Sequence, residues 1–103
     1  MFNYPPFSRL IRITLRHSEA HKLAATATEL GQRLRQRFGS RVLGPVTPLI
    51  DRIRGELIVE IILKIEVTTS FARARATLTE QIDALRQEDK NKGVTIICNV
   101  DPV

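Results

Sequence analysis

The sequence of 103 residues has one cysteine, no tryptophan and few aromatic residues, which make up 5% of the chain. Because Cys98 is alone, an internal disulfide and a zinc site built from several cysteines are excluded. His17 and His21 have the spacing of two metal ligands on a helix, but no cysteine or carboxylate is placed to complete a site. A glycine-rich phosphate loop, a GxSxG motif, an HExxH motif and paired carboxylates at a suitable spacing are also absent. We therefore predict that this chain is not itself an enzyme and holds no metal or cofactor.

Long hydrophobic runs are missing as well. The longest apolar segment, Leu57–Ile65, is interrupted by Glu60 and Lys64 and is too short to span a bilayer. The first six residues are neither basic nor continuously apolar, which is not typical of a signal peptide. Together with the single cysteine, these features predict a cytoplasmic protein that makes no membrane contact.

What the sequence does have is arginine. Twelve of its sixteen basic residues are arginine, and the formal net charge is +5. Residues 1–54 carry ten basic against three acidic residues, whereas residues 55–103 carry six against eight. Because the planar guanidinium matches phosphate geometry, this uneven charge favours a polyanionic partner. A generic arginine-rich surface explains the charge alone equally well.

The stretch around which the chain is organised is 41–65. Its second half alternates, with aliphatic residues at every odd position from Leu57 to Ile65, which indicates a strand with one buried face. Pro45 and Pro48 precede it, and proline is confined to edge strands and bulges. We therefore predict a broken edge strand over 42–53, a hairpin turn at Arg54–Gly55 and a central strand over 56–66. The alternative is an irregular loop over 44–56.

The first half of the chain contains a strand and a helix. Residues 9–16 alternate, with Arg12, Thr14 and Arg16 on the face opposite three aliphatic side chains. Ser18 is then a candidate N-cap for a helix with apolar residues at helical spacing, and Gly39 is its expected C-terminal stop. Residues 1–8 precede the first strand and contain Pro5–Pro6. We interpret 1–8 as a tether and 9–103 as a single domain.

The last third predicts a second helix and a final strand. Thr68, Thr69 and Ser70 offer N-caps for a helix whose apolar stripe begins at Phe71. A polar loop over 89–93 leads to the strand 94–101, in which Cys98 is expected to face inward as a small core residue. The element order β-α-β-β-α-β is best satisfied by a ferredoxin-like α+β fold, with four antiparallel strands in the order 4-1-3-2 and both helices on one face.

This arrangement leaves one sheet face open. Proteins that read single-stranded RNA on such a face stack bases on aromatic residues, and no aromatic residue is predicted there. Ile58, Ile62 and Ile97 are instead expected to form a small apolar patch flanked by charges, which favours packing against a domain or subunit.

Several stretches of the sequence resemble one family. YPPFSRLI at 4–11, RVLGP and RIRG within 41–55, ILK at 62–64 and NVDP at 99–102 are similar to the C-terminal domain of primosomal protein N-prime, a bacterial replication-restart helicase. The resemblance covers nearly the whole chain in order, and the VLGP, RIRG and VDP motifs are its specific part. One departure is Glu56-Leu57-Ile58 after RIRG, where family members often have aromatic and basic residues.

The resemblance implies a role in DNA replication restart. The parent is an ATP-dependent 3′-to-5′ DNA helicase with zinc-binding cysteines and nucleotide-binding motifs, and none of these elements lies in the 103 residues. ATP, magnesium and zinc are therefore implied for the parent alone. The C-terminal domain is expected to bind branched or forked DNA during primosome assembly, near the nucleoid, and to pack on the helicase core. The resemblance indicates Arg9, Arg52 and Arg54 as DNA contacts, and the exposed face of the first strand adds Arg12 and Arg16.

Two alternatives remain open at this point. The domain could be an interdomain scaffold that does not bind DNA, with Arg73 and Arg75 contacting the acidic tail of single-stranded-DNA-binding protein or another primosome protein. In that case Ile58, Ile62 and Ile97 would form a protein interface. The second alternative is a small-molecule regulatory domain of similar topology, for which the sequence offers no recognisable pocket.

Overall fold

The computed structural model describes residues 8–47, 52–66, 71–88 and 91–100. Its elements in chain order are β1 Ser8–His17, α1 Ala20–Phe38, a 3₁₀ turn Gly39–Arg41, β2 Val42–Val46, β3 Arg52–Ile53, β4 Glu56–Glu66, α2 Phe71–Arg86 and β5 Thr95–Val100. The strands form one antiparallel sheet in the order β2-β4-β1-β5, with the short β3 also pairing with β4. The predicted α+β, β-α-β-β-α-β fold is confirmed.

A single core fills the space between the sheet and the helices. On β1 and β4 the odd-numbered side chains face it, and Ile13, Leu15, Ile61 and Leu63 have no accessible surface. Burying one aliphatic side chain of this size contributes about 1.5–3 kcal/mol. The helices contribute their predicted stripes to the same core: Leu23, Ala27, Leu30 and Leu34 from α1, and Ala74, Leu78, Ile82 and Leu85 from α2.

The predicted hairpin turn is present at Arg54–Gly55. Arg52 pairs with Leu57 and Ile53 with Glu56, which leaves a two-residue loop between the strands. Both loop residues have positive φ, 53° for Arg54 and 82° for Gly55. A two-residue loop with positive φ at both positions matches the right-handed twist of the flanking strands.

The predicted edge strand over 42–53 is broken, as its prolines indicated. Val42 pairs with Leu63 and Leu43 with Ile62, after which the register shifts by the time Val46 pairs with Glu60. The shift contains Gly44, with φ 103°, and the cis Gly44–Pro45 bond. Residues 48–51 lie outside the described residues. A bulge that ends regular pairing is typical of an edge strand.

The start of α1 differs from the prediction. Ser18 is not the N-cap; the helix begins at Ala20, and Glu19 occupies the N-cap position without a side-chain cap hydrogen bond. The amide of Glu19 donates instead to Nδ1 of His17, at 2.9 Å. The imidazole of His17, the last residue of β1, therefore accepts the hydrogen bond from this amide. At the other end, Gly39 is the C-cap with φ 63°, as predicted.

The prediction that Cys98 is a core residue is wrong, because its side chain is exposed. Cys98 does point to the helix side of the sheet, opposite Ile13 of β1. However, β5 is an edge strand, and only its first half contributes a buried side chain, Ile96. Inward alternation therefore gives burial in the centre of this sheet but not along the second half of β5.

The polar loop after α2 contains a buried link that the sequence did not predict. Asn91 is 4% exposed and accepts a hydrogen bond from the hydroxyl of Thr26 on α1, at 2.8 Å. Its side-chain amide donates to the carbonyl oxygen of Leu85, at 2.9 Å. One asparagine thus connects both helices and the chain that leads to β5.

Some expectations lie outside the described residues. These are the tether, apart from Ser8 in β1, and the N-caps Thr68, Thr69 and Ser70. In the described part of the chain, no helix is both long and apolar enough to cross a membrane.

Replacing Gly44 by alanine should destabilise the domain. A Cβ at Gly44 would lie 2.8 Å from the carbonyl oxygen of Glu60, in a backbone conformation that L side chains rarely adopt. Strained backbone of this kind costs about 1–3 kcal/mol before the clash is added. Gly55→Ala is the matched control, because it has positive φ but nothing within 4 Å of the added Cβ. In urea denaturation, Gly44→Ala should lose clearly more unfolding free energy than Gly55→Ala; equal losses would contradict the clash.

Removing the Thr26 hydroxyl should weaken the link through Asn91. Thr26→Val keeps the shape of the side chain but leaves a buried amide oxygen without its donor, which costs about 1–3 kcal/mol. The control is Thr28→Val on the exposed side of α1. We expect thermal unfolding to shift down for Thr26→Val and to stay within error for Thr28→Val, and an unchanged Thr26→Val midpoint would argue against this role of Asn91.

Candidate nucleic-acid interface

The sheet face turned away from the described helices carries three polar side chains of β1. Arg12 lies between Ile62 of β4 and Asn99 of β5, and the neighbouring row places Thr14 between Glu60 and Ile97. Directly paired residues share a face. Arg12 and Arg16 therefore lie on the same face, about 13 Å apart at the usual rise of a strand.

The two arginines of this face have different surroundings. Arg12 is exposed, whereas Arg16 is half-buried, with its Nε 3.9 Å from the carboxylate of Glu56. This nitrogen is buried and has no hydrogen-bond partner among the described residues. Since an ion pair at this distance and exposure contributes little, Glu56 neutralises Arg16 only weakly. No acidic residue lies on β1 itself, so Glu60 of β4 is the acidic side chain closest to the middle of the row.

The hairpin with Arg52 and Arg54 lies beyond the C-terminal end of β1, the end at which Arg16 lies. Arg54 is exposed in the turn, two residues before Glu56, which contacts Arg16. The backbone of Arg52 pairs with Leu57, and its side chain lies outside the description. The turn therefore adds an exposed arginine, Arg54, beyond the end of β1 at which Arg16 lies.

Arg9 is on the opposite layer. It is an odd-numbered residue of β1, pairs with Ile65, and stacks over the ring of Phe71 of α2, with its Cζ 4.7 Å from the ring centroid. A guanidinium over an aromatic face is attracted by the ring quadrupole. The five predicted DNA contacts are thus not on one surface: Arg12 and Arg16 share the open face, while Arg9 faces the helices.

The three predicted apolar contacts are also separated. Ile58 lies opposite Arg16 and is 5% exposed, so it offers almost no surface. Ile62 and Ile97 are on β4 and β5, with β1 between them. The sequence reasoning missed Leu43 and Val46 of β2, which are 55% and 49% exposed, and Leu43 pairs directly with Ile62. The alternation of side chains in β2 could have predicted that Leu43 is exposed. The bulge between Leu43 and Val46 breaks this alternation, so the exposure of Val46 could not be predicted in the same way.

A cleft on the helix side brings together arginines from three elements. Arg37 of α1, Arg41 of the 3₁₀ turn and Arg73 of α2 line it over apolar atoms of Phe38, Ile65 and Ala74, and its volume is about 210 Å³. Arg73, one of the two arginines predicted to contact a protein partner, belongs to this cleft. Arg75 does not, although it is exposed on the same helix. The sequence indicates that several arginines lie at the end of α1, but it does not indicate that Arg37 and Arg41 line a common cleft with Arg73 of α2.

Two further side chains, Arg33 and Cys98, have pKa values that are raised by their surroundings. Arg33 contacts Glu29 on its own helix and Glu88 after α2, and the hydrogen bond to Glu29 raises its pKa most strongly. Partial desolvation by its neighbours raises the pKa of the exposed Cys98 thiol, against the opposing effects of Arg86 and Arg75. Within the described ranges, no three His, Cys, Asp or Glu side chains are grouped so that they could hold a metal ion.

Comparison with known proteins finds a similar structure and a related sequence. A de novo designed protein, Foldit4, has a similar structure with a TM-score of 0.60 over 92% of this chain and 99% of the design, at 14% sequence identity. This likeness shows the fold alone. Replication restart protein PriA of Bacillus subtilis (strain 168) is 28% identical over 102 residues.

The alignment with the Bacillus protein covers 97% of this chain but 12% of that protein, so the chain spans about an eighth of its relative. The family described as Primosomal protein N C-terminal domain matches residues 1–103, which is the whole sequence. A match over the full length decides the family, and the chain belongs to the primosomal protein N C-terminal domain family.

Proposed function

We propose that this domain binds branched or forked DNA for a replication restart protein and is not itself catalytic. The observation that supports this most is the position of Arg12 and Arg16 on the central strand of a face that no described helix covers. With Arg54 at the end of the neighbouring hairpin, these side chains can contact successive phosphates along a nucleic-acid backbone. Arg52 belongs to the same proposal through its place beside the turn.

The absence of aromatic residues from the described part of this face points to backbone contact. Its rows contain Thr14, Glu60, Ile62 and Ile97 beside the two arginines, and none of these side chains stacks on a base. Contacts to phosphate position a protein without reading sequence. We therefore expect little sequence preference.

Arg9 suits a branched substrate in particular. It projects from the other layer, over Phe71, so it would meet a second arm of the DNA and not the arm on the sheet face. We propose that the protein acts in the cytoplasm, at the nucleoid, where forked DNA is found. Unwinding, and any use of ATP, magnesium or zinc, is proposed for the longer parent only.

If the sheet face binds DNA, removing two of its proposed DNA-contact arginines should lower the affinity for DNA more than removing two arginines from the helices. Arg12→Ala with Arg54→Ala should weaken binding to a labelled fork at every sequence tested. The slope of log affinity against log salt should fall by about 1 for each phosphate that the variant no longer binds. The measurement is fluorescence anisotropy with a fork, a plain duplex and a single strand, each at two salt concentrations.

The matched control for this experiment is Arg37→Ala with Arg75→Ala, which removes two exposed charges from the helices. If both double variants lose the same affinity, binding is a general charge effect and the sheet face is not the site. If the unaltered domain binds none of the three DNAs at low salt, the DNA proposal itself fails.

A second candidate function is protein binding through the helix-side cleft. Three arginines over an apolar floor suit a peptide that ends in a carboxylate beside an apolar side chain, such as the acidic tail of single-stranded-DNA-binding protein. A space of about 210 Å³ has room for one side chain. The same domain would then also act as a scaffold, packing on the helicase core of its parent through apolar surface that includes Ile62 and Ile97.

The cleft predicts different outcomes for two arginines that are two residues apart. Arg73→Ala should weaken binding of a synthetic peptide with this acidic tail about tenfold, the loss expected for one charge-assisted contact. Arg75→Ala should change it little, because Arg75 does not line the cleft. Isothermal titration calorimetry measures both. Equal effects would show that the tail is attracted by overall charge and not held in the cleft.

A further inference from the structure

The two edges of the sheet are built differently. The β2 edge is interrupted by Gly44, by Pro45, which has no N–H to donate, and by a shift of register, so it cannot continue a regular ladder. The β5 edge is regular: all six of its residues, Thr95–Val100, pair in unbroken register with β1. Among the described strands, β5 pairs with β1 alone, and its other side has no strand beside it.

None of the usual devices that protect an edge strand is present within β5. Its sequence, TIICNV, contains no proline, glycine or charged residue. Three consecutive side chains, Ile97, Cys98 and Asn99, are exposed. A regular, uncharged edge of this length offers backbone donors and acceptors to an additional strand.

Two arginines of α2 lie near this edge. Arg86 donates from Nη2 to the carbonyl oxygen of Ile96, at 2.7 Å, so its guanidinium lies against the β5 backbone. Arg75 is exposed about three turns earlier on the same helix and, like Arg86, acts electrostatically on the Cys98 thiol. No acidic residue lies on β5 itself. A strand that docks here therefore meets arginine on its helix-facing side.

We propose that the β5 edge binds an extended peptide segment as a fifth long strand, and that the segment carries acidic side chains facing Arg75 and Arg86. Backbone pairing with Thr95–Val100 supplies the ladder, and alternate acidic residues supply the selectivity. This surface is separate from the sheet-face arginines and from the cleft at Arg73. The inference stands whether or not the domain binds DNA.

Three blocked peptides test the proposal on the 103-residue chain. The first is a ten-residue peptide of alternating threonine and glutamate, acetylated and amidated so that it has no terminal carboxylate for the cleft. The second replaces glutamate by lysine. The third keeps every glutamate but replaces threonine by proline, which cannot donate to a ladder. Fluorescence anisotropy should show binding of the first peptide alone.

Two protein variants localise the binding. Arg75→Glu with Arg86→Glu should weaken the glutamate peptide about tenfold or more, through charge repulsion at the edge. Arg37→Glu with Arg41→Glu, which reverses two charges of the cleft, should leave it unchanged. Circular dichroism establishes that both variants are folded. The lysine peptide should gain affinity for the Arg75/Arg86 variant, a result that misfolding would not produce.

Amide hydrogen exchange supplies the readout specific to a ladder. Addition of the glutamate peptide should slow exchange within 95–100 and leave β2 unchanged. The proposal is overturned if the proline peptide binds as well as the threonine peptide, since charge alone would then account for the affinity. It is equally overturned if exchange in 95–100 does not slow, or if the glutamate peptide does not bind.

Discussion

The structure depends on the burial of one face of β1. Ile11, Ile13 and Leu15 are almost inaccessible, and β1 pairs over its whole length with β4 and over six residues with β5. A strand that is buried on one side cannot slip by one residue, because a slip would move every aliphatic side chain to solvent. The register of β1 therefore fixes the register of both neighbours. It also places Arg12 and Arg16 together on the opposite face.

Features that follow from strand periodicity and turn chemistry could be predicted from the sequence. The alternation in 57–65 indicated the buried face of β4, Arg54–Gly55 indicated the hairpin, and the prolines indicated the edge position of β2. These signals are local: each depends on residues that are neighbours in the chain. The strand order followed because a compact antiparallel sheet with two helices on one face has few solutions.

Features that depend on contacts distant in sequence could not be predicted. Asn91 reads as a loop residue, yet Thr26, 65 positions earlier, makes it a buried link. The alternation of β5 places Cys98 on the helix side of the sheet, but its side chain is exposed because it lies in the second half of this edge strand. In each case the decisive partner comes from another element.

The candidate sites show the same division. Composition revealed an arginine-rich chain, the family resemblance selected three of those arginines and strand alternation two more, but only the fold assigns Arg9, Arg12 and Arg16 to layers. Arg12 and Arg16 share a face because they are four apart on a strand, whereas Arg9, three residues before Arg12, faces the other way. The cleft joins Arg37 and Arg73, which no periodicity connects. A linear list of basic residues therefore combines side chains that lie on different surfaces of the domain.

This separation bears on how a domain of 103 residues could serve several partners. Its sheet face, helix-side cleft and β5 edge have different arginines, so the charge of each can be changed separately by substitution. The affinity of binding through phosphate contacts falls as the salt concentration rises. The affinity of strand addition depends chiefly on backbone hydrogen bonds. Partners on these surfaces would thus respond differently to ionic strength. Because the core residues contribute to all three surfaces only by positioning them, changes in surface arginine can alter one interaction without altering the fold.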